Sequence, residues 1–487
     1  MSQNYHNRTI AVAPGDGIGS EIMNAVLEIF RAASVPLNYQ FVEMGKDWYL
    51  NGHSSGMTPE AARTVESLGI LFKGPMETPK GKGMKSINVT ARKTWNTYAN
   101  KRIFKTIPGV ETIYSKAGIP IDLTIVRENI EDTYGGIEHM LTHDVALCRR
   151  FITKPGSLQV HRYAFEMALR KGARKITCAH KANIMKITDG LFLEAFYEVA
   201  KEYPQLQAND VIVDDMAMKL VMRPYDYDVI VLPNLQGDII SDLCAGLVGG
   251  LGFAPSANIG DYVSIFEAVH GTAPDIAGQK KANPTALLIS GLMMLRHLGL
   301  EKYSRTIENA LYYSLENGEH TADFGHGGKA LNTDEFAAAI IGHLGKVPSN
   351  PVKEQAAALS ALSVLPSSNR MMVSPVRPER TLQGVDLFVE SELQPAELAE
   401  LITSVMGNRY NLVTISNRGT QVWPTGSVLT DLINQYRVRI ERREGETVSQ
   451  SDLLQLAATI AEECYVCSWE MLVYFDNQPA YSKAQGQ

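Results

Sequence analysis

Two aspartates stand four residues apart in Gly237-Asp238-Ile-Ile-Ser-Asp242. On a helix that spacing puts both carboxylates on one face. A carboxylate pair is an oxygen-rich seat for a hard cation such as Mg²⁺ or Mn²⁺. Asp214, just after the apolar run Val211–Val213, is a candidate third ligand. Aspartates at strand ends and helix caps are ordinary, so the group alone leaves both readings open. Upstream, Ser86-Ile-Asn88-Val-Thr-Ala-Arg92 sets a hydroxyl, an amide and a guanidinium at i, i+2 and i+6. In a loop entering a helix they can converge on one anionic group, with Arg supplying bidentate pairing and Ser and Asn neutral hydrogen bonds. Arg102 and Arg127 follow, the latter in the strand-like Leu123-Thr-Ile-Val-Arg-Glu. Taken alone, each arginine reads as a surface or ion-paired residue.

Gly15-Asp-Gly-Ile-Gly19 follows a short apolar strand but lacks the G-x-G-x-x-G spacing of a dinucleotide loop, so a tight turn competes. Glu267-Ala-Val-His270-Gly271-Thr272-Ala273-Pro-Asp275-Ile276-Ala-Gly, with Asn283 beyond, is a loop of small residues where backbone can approach a ligand closely. A carboxylate at Asp275 can accept both hydroxyls of a ribose and would repel a 2′-phosphate. Cys464-Tyr-Val-Cys467 is one C-x-x-C without a second pair, and His139/His143 lack a third ligand, so both read as incidental.

The elements that must position these groups alternate. Arg8–Pro14 begins as a strand, and Ser20–Ala33 has a helical pattern with Ser20 as a plausible cap. Ile176–Ala179, Val211–Val213 and Asp228–Pro233 read as strands. The alternation predicts an α/β core up to about Gly345. Val347–Arg380 is rich in Pro, Ser and Ala and reads as a linker, with a short helix expected over 354–362. After it, strand, helix, two strands, helix and strand suggest a small α+β ferredoxin-like domain. The expected domains are 1–346, subdivided into a large part (about 1–97 and 249–346) and a small part with a clasp (about 98–248), then a linker at 347–380 and a domain at 381–487.

The chain has 487 residues and a formal net charge of −7, which argues against broad electrostatic binding to nucleic acid or anionic membrane. Five cysteines imply no disulfide framework. A polar N-terminus and the lack of a long apolar run predict a cytoplasmic protein without a transmembrane helix.

In order along the chain, five motifs resemble the β-decarboxylating dehydrogenases, the family of isocitrate, isopropylmalate, homoisocitrate and tartrate dehydrogenases. They are Pro14-Gly-Asp-Gly-Ile-Gly19, Arg127-Glu-Asn with Tyr134, His180-Lys181-Ala-Asn183-Ile-Met-Lys, Asn234-Leu-Gln-Gly-Asp238-Ile-Ile-Ser-Asp242 and His270-Gly-Thr-Ala-Pro-Asp275-Ile-Ala-Gly278. The similarity covers about Thr9–Leu344. Ser86-x-Asn88-x-x-x-Arg92 resembles the isocitrate-type members, in which Ser and Asn meet the third substrate carboxylate. The linker and last domain are similar to the long bacterial form.

The resemblance implies a two-domain α/β fold distinct from the usual Rossmann fold. It also implies NAD- and Mg²⁺- or Mn²⁺-dependent oxidative decarboxylation of isocitrate. Thr78, Ser86, Asn88, Arg92, Arg102, Arg127 and Tyr134 would bind isocitrate. Lys181 and Asp214 would complete the site from a second subunit of a homodimer or higher oligomer. Asp214, Asp238 and Asp242 would hold the metal. Asn183, Glu267, His270, Gly271, Thr272, Ala273, Asp275, Ile276 and Asn283 would line the cofactor site. Tyr134 would protonate C3 with Lys181 assisting. NADP-dependent members typically carry Lys-Tyr where this chain has Asp275-Ile276, which favours NAD. The alternatives are homoisocitrate or isopropylmalate dehydrogenase, or an inactive scaffolding homologue.

Overall fold

Apolar strands buried on both faces need cover, and the amphipathic helices between them supply it. The computed structural model describes residues 8–77, 86–324, 329–351, 372 and 377–482. Ten strands form one sheet. Their spatial order is Leu37–Phe41, Arg8–Ala13, Ile70–Lys73, Ser264–Ala268, Pro255–Ile259, Ala99–Lys105, Asp122–Glu128, Val229–Leu232, Lys175–His180 and Gln207–Ile212. The first four run parallel to one another, and so do the last four. Pro255–Ile259 and Ala99–Lys105 join the two sets, each antiparallel to both its neighbours.

Helix Gly19–Ala32 buries Ile22, Val26, Ile29 and Phe30, the stripe expected of a helix packed on a sheet. Each such side chain contributes about 1.5–3 kcal/mol of burial. The helix begins one residue before the expected cap. Ser20 lies inside the first turn, and the Asp16 carbonyl accepts from the Gly19 N–H instead. Helix Thr285–His297 is buried along nearly its whole length and fills the largest apolar cluster.

The chain divides into two compact units. Met1–Tyr134, Phe151–Ile184 and Thr188–Met371 make one; Gly135–Arg150, Met185–Ile187 and Met372–Gln487 make the other. In the second unit lies most of a two-stranded arm, Asp132–Met140 with Ala146–Phe151. Arg149 of that arm pairs with Glu470 at 2.9 Å. No helix among the described residues is long and apolar enough to cross a membrane.

The C-terminal sheet is antiparallel throughout. Its order is Thr420–Trp423, Tyr410–Asn417, Gln435–Arg442, Arg380–Glu390, Tyr465–Phe475 and Gln478–Pro479. Helices Pro395–Val405 and Gln450–Ala461 accompany it, the second capped by Ser449. Two edge strands escaped the sequence pattern. One follows a tight turn in which Arg418 and Gly419 both take positive φ, the geometry of a two-residue hairpin. Arg at the first of those positions is not a usual turn signal. The helix expected over 354–362 lies outside the described residues.

Candidate active site

Ser86 caps helix Ile87–Thr94, so the loop-into-helix condition of the sequence reading is met and Asn88 and Arg92 both lie on that short helix. Strand Ala99–Lys105 carries Arg102, its antiparallel partner Asp122–Glu128 carries Arg127, and helix Asn234–Leu247 carries Asp238 and Asp242. These four elements bring the three arginines and two aspartates together. Arg127 and Arg102 both donate to Asp238 Oδ1, the latter at 3.3 Å, and Arg102 lies 3.8 Å from Asp242. The Tyr134 hydroxyl donates to Asp238 Oδ2 at 2.5 Å, and the Arg127 guanidinium lies over the Tyr134 ring at 4.8 Å.

Three groups that the sequence reading gave no role hold this arrangement. Asn234 Oδ1 accepts from Arg127 Nε and Nη2 at 3.0 and 2.7 Å. Ser241 Oγ accepts from Arg102. Lys73, buried at the end of strand Ile70–Lys73, pairs with Glu267 and donates to Asn88 Oδ1 at 2.8 Å. A lysine closing an apolar strand is the signal that could have marked it. Glu267, expected at the cofactor site, sits in strand Ser264–Ala268. Its oxygens also take Arg92 Nη2 at 2.9 Å and Asn258 Nδ2 at 2.7 Å. Asn258 continues to Asn100 and thence to Arg102, so one hydrogen-bonded chain joins Glu267 to the arginines.

Charge is unbalanced here. Burial, and then the neighbouring Arg127, push Arg102 down to about 10. Burial opposes ionisation of Asp238, but Arg127 and Arg102 outweigh it and hold the carboxyl below its usual value. Asp242 moves the other way, raised by burial and by Asp238 against the pull of Arg102. Tyr134 is raised, chiefly by burial. The Nε of Arg92 is buried without a hydrogen-bond partner. A guanidinium donor left open beside three other cations suits a multiply charged anion.

The two aspartates lie one turn apart on the same face, and Asp242 has only the longer Arg102 contact at 3.8 Å. That donor set fits one side of a divalent cation site. No group of three His, Cys, Asp or Glu side chains positioned to hold a metal occurs among the described residues. Asp214 lies in the first turn of helix Val213–Met222 and pairs with Lys181 at 2.5 Å. Neither residue makes a hydrogen bond or ion pair with Asp238, Asp242 or Tyr134 within this chain.

The glycine loop is a structural brace. A Cβ at Gly17 would sit 2.1 Å from the Thr272 carbonyl, which accepts the Ile18 N–H at 2.9 Å. Asp16 accepts the N–H groups of Lys46 and Glu77. The brace fixes the His270 loop. There Ala273 has φ +39°, His270 Nε2 is buried without a partner, and Asn283 donates to Asp323 at 3.0 Å. Burial lowers the His270 pKa. Ile276 packs on the largest apolar cluster. The Asp275 side chain is exposed and makes no hydrogen bond or ion pair with another described residue. An open carboxylate and a buried, unpaired imidazole nitrogen beside small residues fit a nucleotide. Gly271 and Asn183 are exposed. Thr78 lies outside the described residues. All five cysteines are free.

Residues 9–341 match the isocitrate/isopropylmalate dehydrogenase family, and the chain belongs to it. Residues 380–487 match the C-terminal domain of bacterial isocitrate dehydrogenase, which places the chain beside the long bacterial members. The "Isocitrate dehydrogenase [NADP]" of Thermus thermophilus is 44% identical over 483 residues, covering 99% of this chain and 96% of that protein. The "Isocitrate dehydrogenase [NAD] catalytic subunit 5, mitochondrial" of Arabidopsis thaliana is 46% identical over 338 residues, covering 69% of this chain and 88% of that one. The solved structure of the TT0538 protein from Thermus thermophilus superposes with a TM-score of 0.93 at 42% identity, covering 100% of this chain and 98% of that one.

Proposed function

We propose that this protein oxidatively decarboxylates isocitrate to 2-oxoglutarate and CO₂, reducing NAD, with Mg²⁺ or Mn²⁺ bound. The observation that carries the reading is the convergence of Arg92, Arg102, Arg127 and Lys73 on a site whose carboxylates are Glu267, Asp238 and Asp242. The four cations exceed the three carboxylates by one, and a bound divalent cation would raise that excess to three, which a tricarboxylate matches. Ser86 and Asn88 make the wall beside Arg92 polar, which disfavours an isopropyl group by leaving polar groups unpaired.

Bound cofactors supply hydride acceptance by the nicotinamide and Lewis-acid polarisation of the C2 oxygen by the metal. The chain does the rest. The arginines fix the substrate carboxylates so that C2 faces the cofactor loop. Asp238 and Asp242, with Asp214 of the partner subunit, seat the cation. Tyr134 delivers a proton to C3 as CO₂ departs, and Lys181 of the partner subunit favours the phenolate left behind. The active unit is therefore a homodimer or larger. Met218, Met222 and Ile239, exposed on helices Val213–Met222 and Asn234–Leu247, supply apolar surface for that contact. We read the C-terminal domain as ferredoxin-like in strand order and as an oligomer-contact module.

NAD follows from Asp275, whose open carboxylate suits ribose hydroxyls and repels a 2′-phosphate. Thermus thermophilus offers an NADP-named relative and Arabidopsis an NAD-named one, so overall similarity does not decide the cofactor. Initial rates with isocitrate and Mn²⁺, comparing NAD with NADP, test the reading directly. Turnover that prefers NAD supports both parts. A preference for NADP keeps the dehydrogenase and removes the Asp275 argument. Turnover of isopropylmalate or homoisocitrate in place of isocitrate overturns the substrate.

A further inference from the structure

Side chains of strand Ala99–Lys105 alternate between the two faces of the sheet. Asn100 and Arg102 join the network described above. Lys101, Ile103 and Lys105 line a cavity of about 240 Å³ instead. Its four carboxylates already have cations. Asp122 pairs with Lys171 at 2.8 Å and Glu166 with Arg170 at 3.5 Å. Glu301 pairs with Arg296 at 3.3 Å, and Glu308 pairs with the same guanidinium. Lys101 is left over. Its ammonium makes no hydrogen bond or ion pair with another described residue. Burial, together with Arg296, Lys171 and Arg170, holds its pKa down to about 8. Lys105, the other cation without a carboxylate, is exposed and lies 5.9 Å from the Tyr312 ring centroid. Ile103, Met167, Phe253 and Ile289 make part of the wall apolar.

A half-buried ammonium without a carboxylate partner gains one when an anion enters the cavity. We propose that this cavity binds a small organic carboxylate, its charged end on Lys101 and its apolar body against Ile103, Met167 and Phe253. At about 240 Å³ the cavity is smaller than the ~300–1,000 Å³ of a drug-sized ligand site, so the ligand is small. A free phosphate would satisfy Lys101 but would leave the apolar wall without a partner.

The test uses the full chain at saturating isocitrate, so that the arginine cluster is occupied. Benzoate is the probe, benzamide its neutral control and inorganic phosphate the rival anion. Benzoate is expected to raise the thermal midpoint, and benzamide to leave it unchanged. Lys101→Met should abolish the shift and Lys101→Arg should keep it, with the isocitrate KM of both within about twofold of the unsubstituted protein. In the unsubstituted protein, reductive methylation of Lys101, followed by mass spectrometry, should slow several-fold with benzoate. That reading survives even if Lys101→Met fails to fold. An equal shift in Lys101→Met, no shift at tens of millimolar benzoate, or a shift with benzamide would overturn the proposal. So would phosphate acting as strongly as benzoate.

Discussion

Gly237 stands where any side chain would strike Arg127: a Cβ built there lies 2.7 Å from Arg127 Cγ. The glycine thus lets helix Asn234–Leu247 approach the strand closely enough for Asn234 and Asp238 to grip one guanidinium. Gly237→Ala should displace Arg127 while leaving helix propensity improved. Each charge-assisted hydrogen bond lost is worth about 1.5–3 kcal/mol, so kcat/KM for isocitrate should fall roughly 10–10²-fold, mainly through KM. Unchanged kinetics would show that Arg127 does not meet the substrate.

Tyr134 and Asp238 share a hydrogen bond, so the group expected to donate a proton touches a group expected to seat the cation. Tyr134→Phe should lower kcat by about 10²-fold or more and change the isocitrate KM only a few-fold. Burial raises the phenol above its ordinary value, so it keeps its proton through neutral pH in this chain. Steady-state rates of CO₂ release decide the point; full turnover without the hydroxyl removes Tyr134 from proton delivery.

Glu267 is the buried hub of Lys73, Arg92 and Asn258. Removing its charge leaves Lys73 unpaired, so Glu267→Gln should cost about 3–5 kcal/mol in denaturant unfolding. Burial opposes its ionisation, but Lys73 and Arg92 prevail and hold the carboxyl far below the usual range. The sign is that of a depressed carboxylate. Its stabilisation is fully present above the unfolded value of ~4.3 and is lost as pH falls toward the folded one. Stability curves of the parent and Glu267→Gln should therefore begin to approach each other only below about pH 4 and close progressively as the pH falls further.

Lys181 and Asp214 pair with each other and make no hydrogen bond or ion pair with Tyr134 or Asp238 in their own chain. If they complete a second subunit's site, Tyr134→Phe and Lys181→Met should complement. Random mixing of the two inactive proteins should restore about a quarter of the parent activity, because half the dimers carry one intact site of two. No recovery after verified subunit exchange would place each site within a single chain.

Asp275 offers an unpaired carboxylate on an exposed turn. Asp275→Lys should raise the NADP-to-NAD ratio of kcat/KM at least tenfold, about 1.4 kcal/mol, by exchanging repulsion of a 2′-phosphate for attraction. An unmoved ratio would put cofactor choice elsewhere.

Much of this was legible along the chain because it is local. The spacing of Ser86, Asn88 and Arg92 marked them as able to converge where a loop enters a helix, and the four-residue spacing put Asp238 and Asp242 on one face. Ser20 failed as a cap because the helix starts at Gly19, which puts Ser20 inside its first turn. Strand Thr420–Trp423 was missed because its turn uses Arg418 at a positive φ.

Residue types, order and periodicity by themselves determined the family motifs, the α/β core and the C-terminal alternation of strands and helices, since each depends on neighbours a few positions apart. Only the tertiary structure decided that Lys73 and Glu267, 194 positions apart (267 − 73), neutralise each other under Asn88 and Arg92. It alone revealed that Gly237 makes room for Arg127, and that Lys101 faces away from Arg102 into a cavity of its own. Those facts are set by strand register and by which faces the sheet closes, and long-range register leaves no period in the sequence to read.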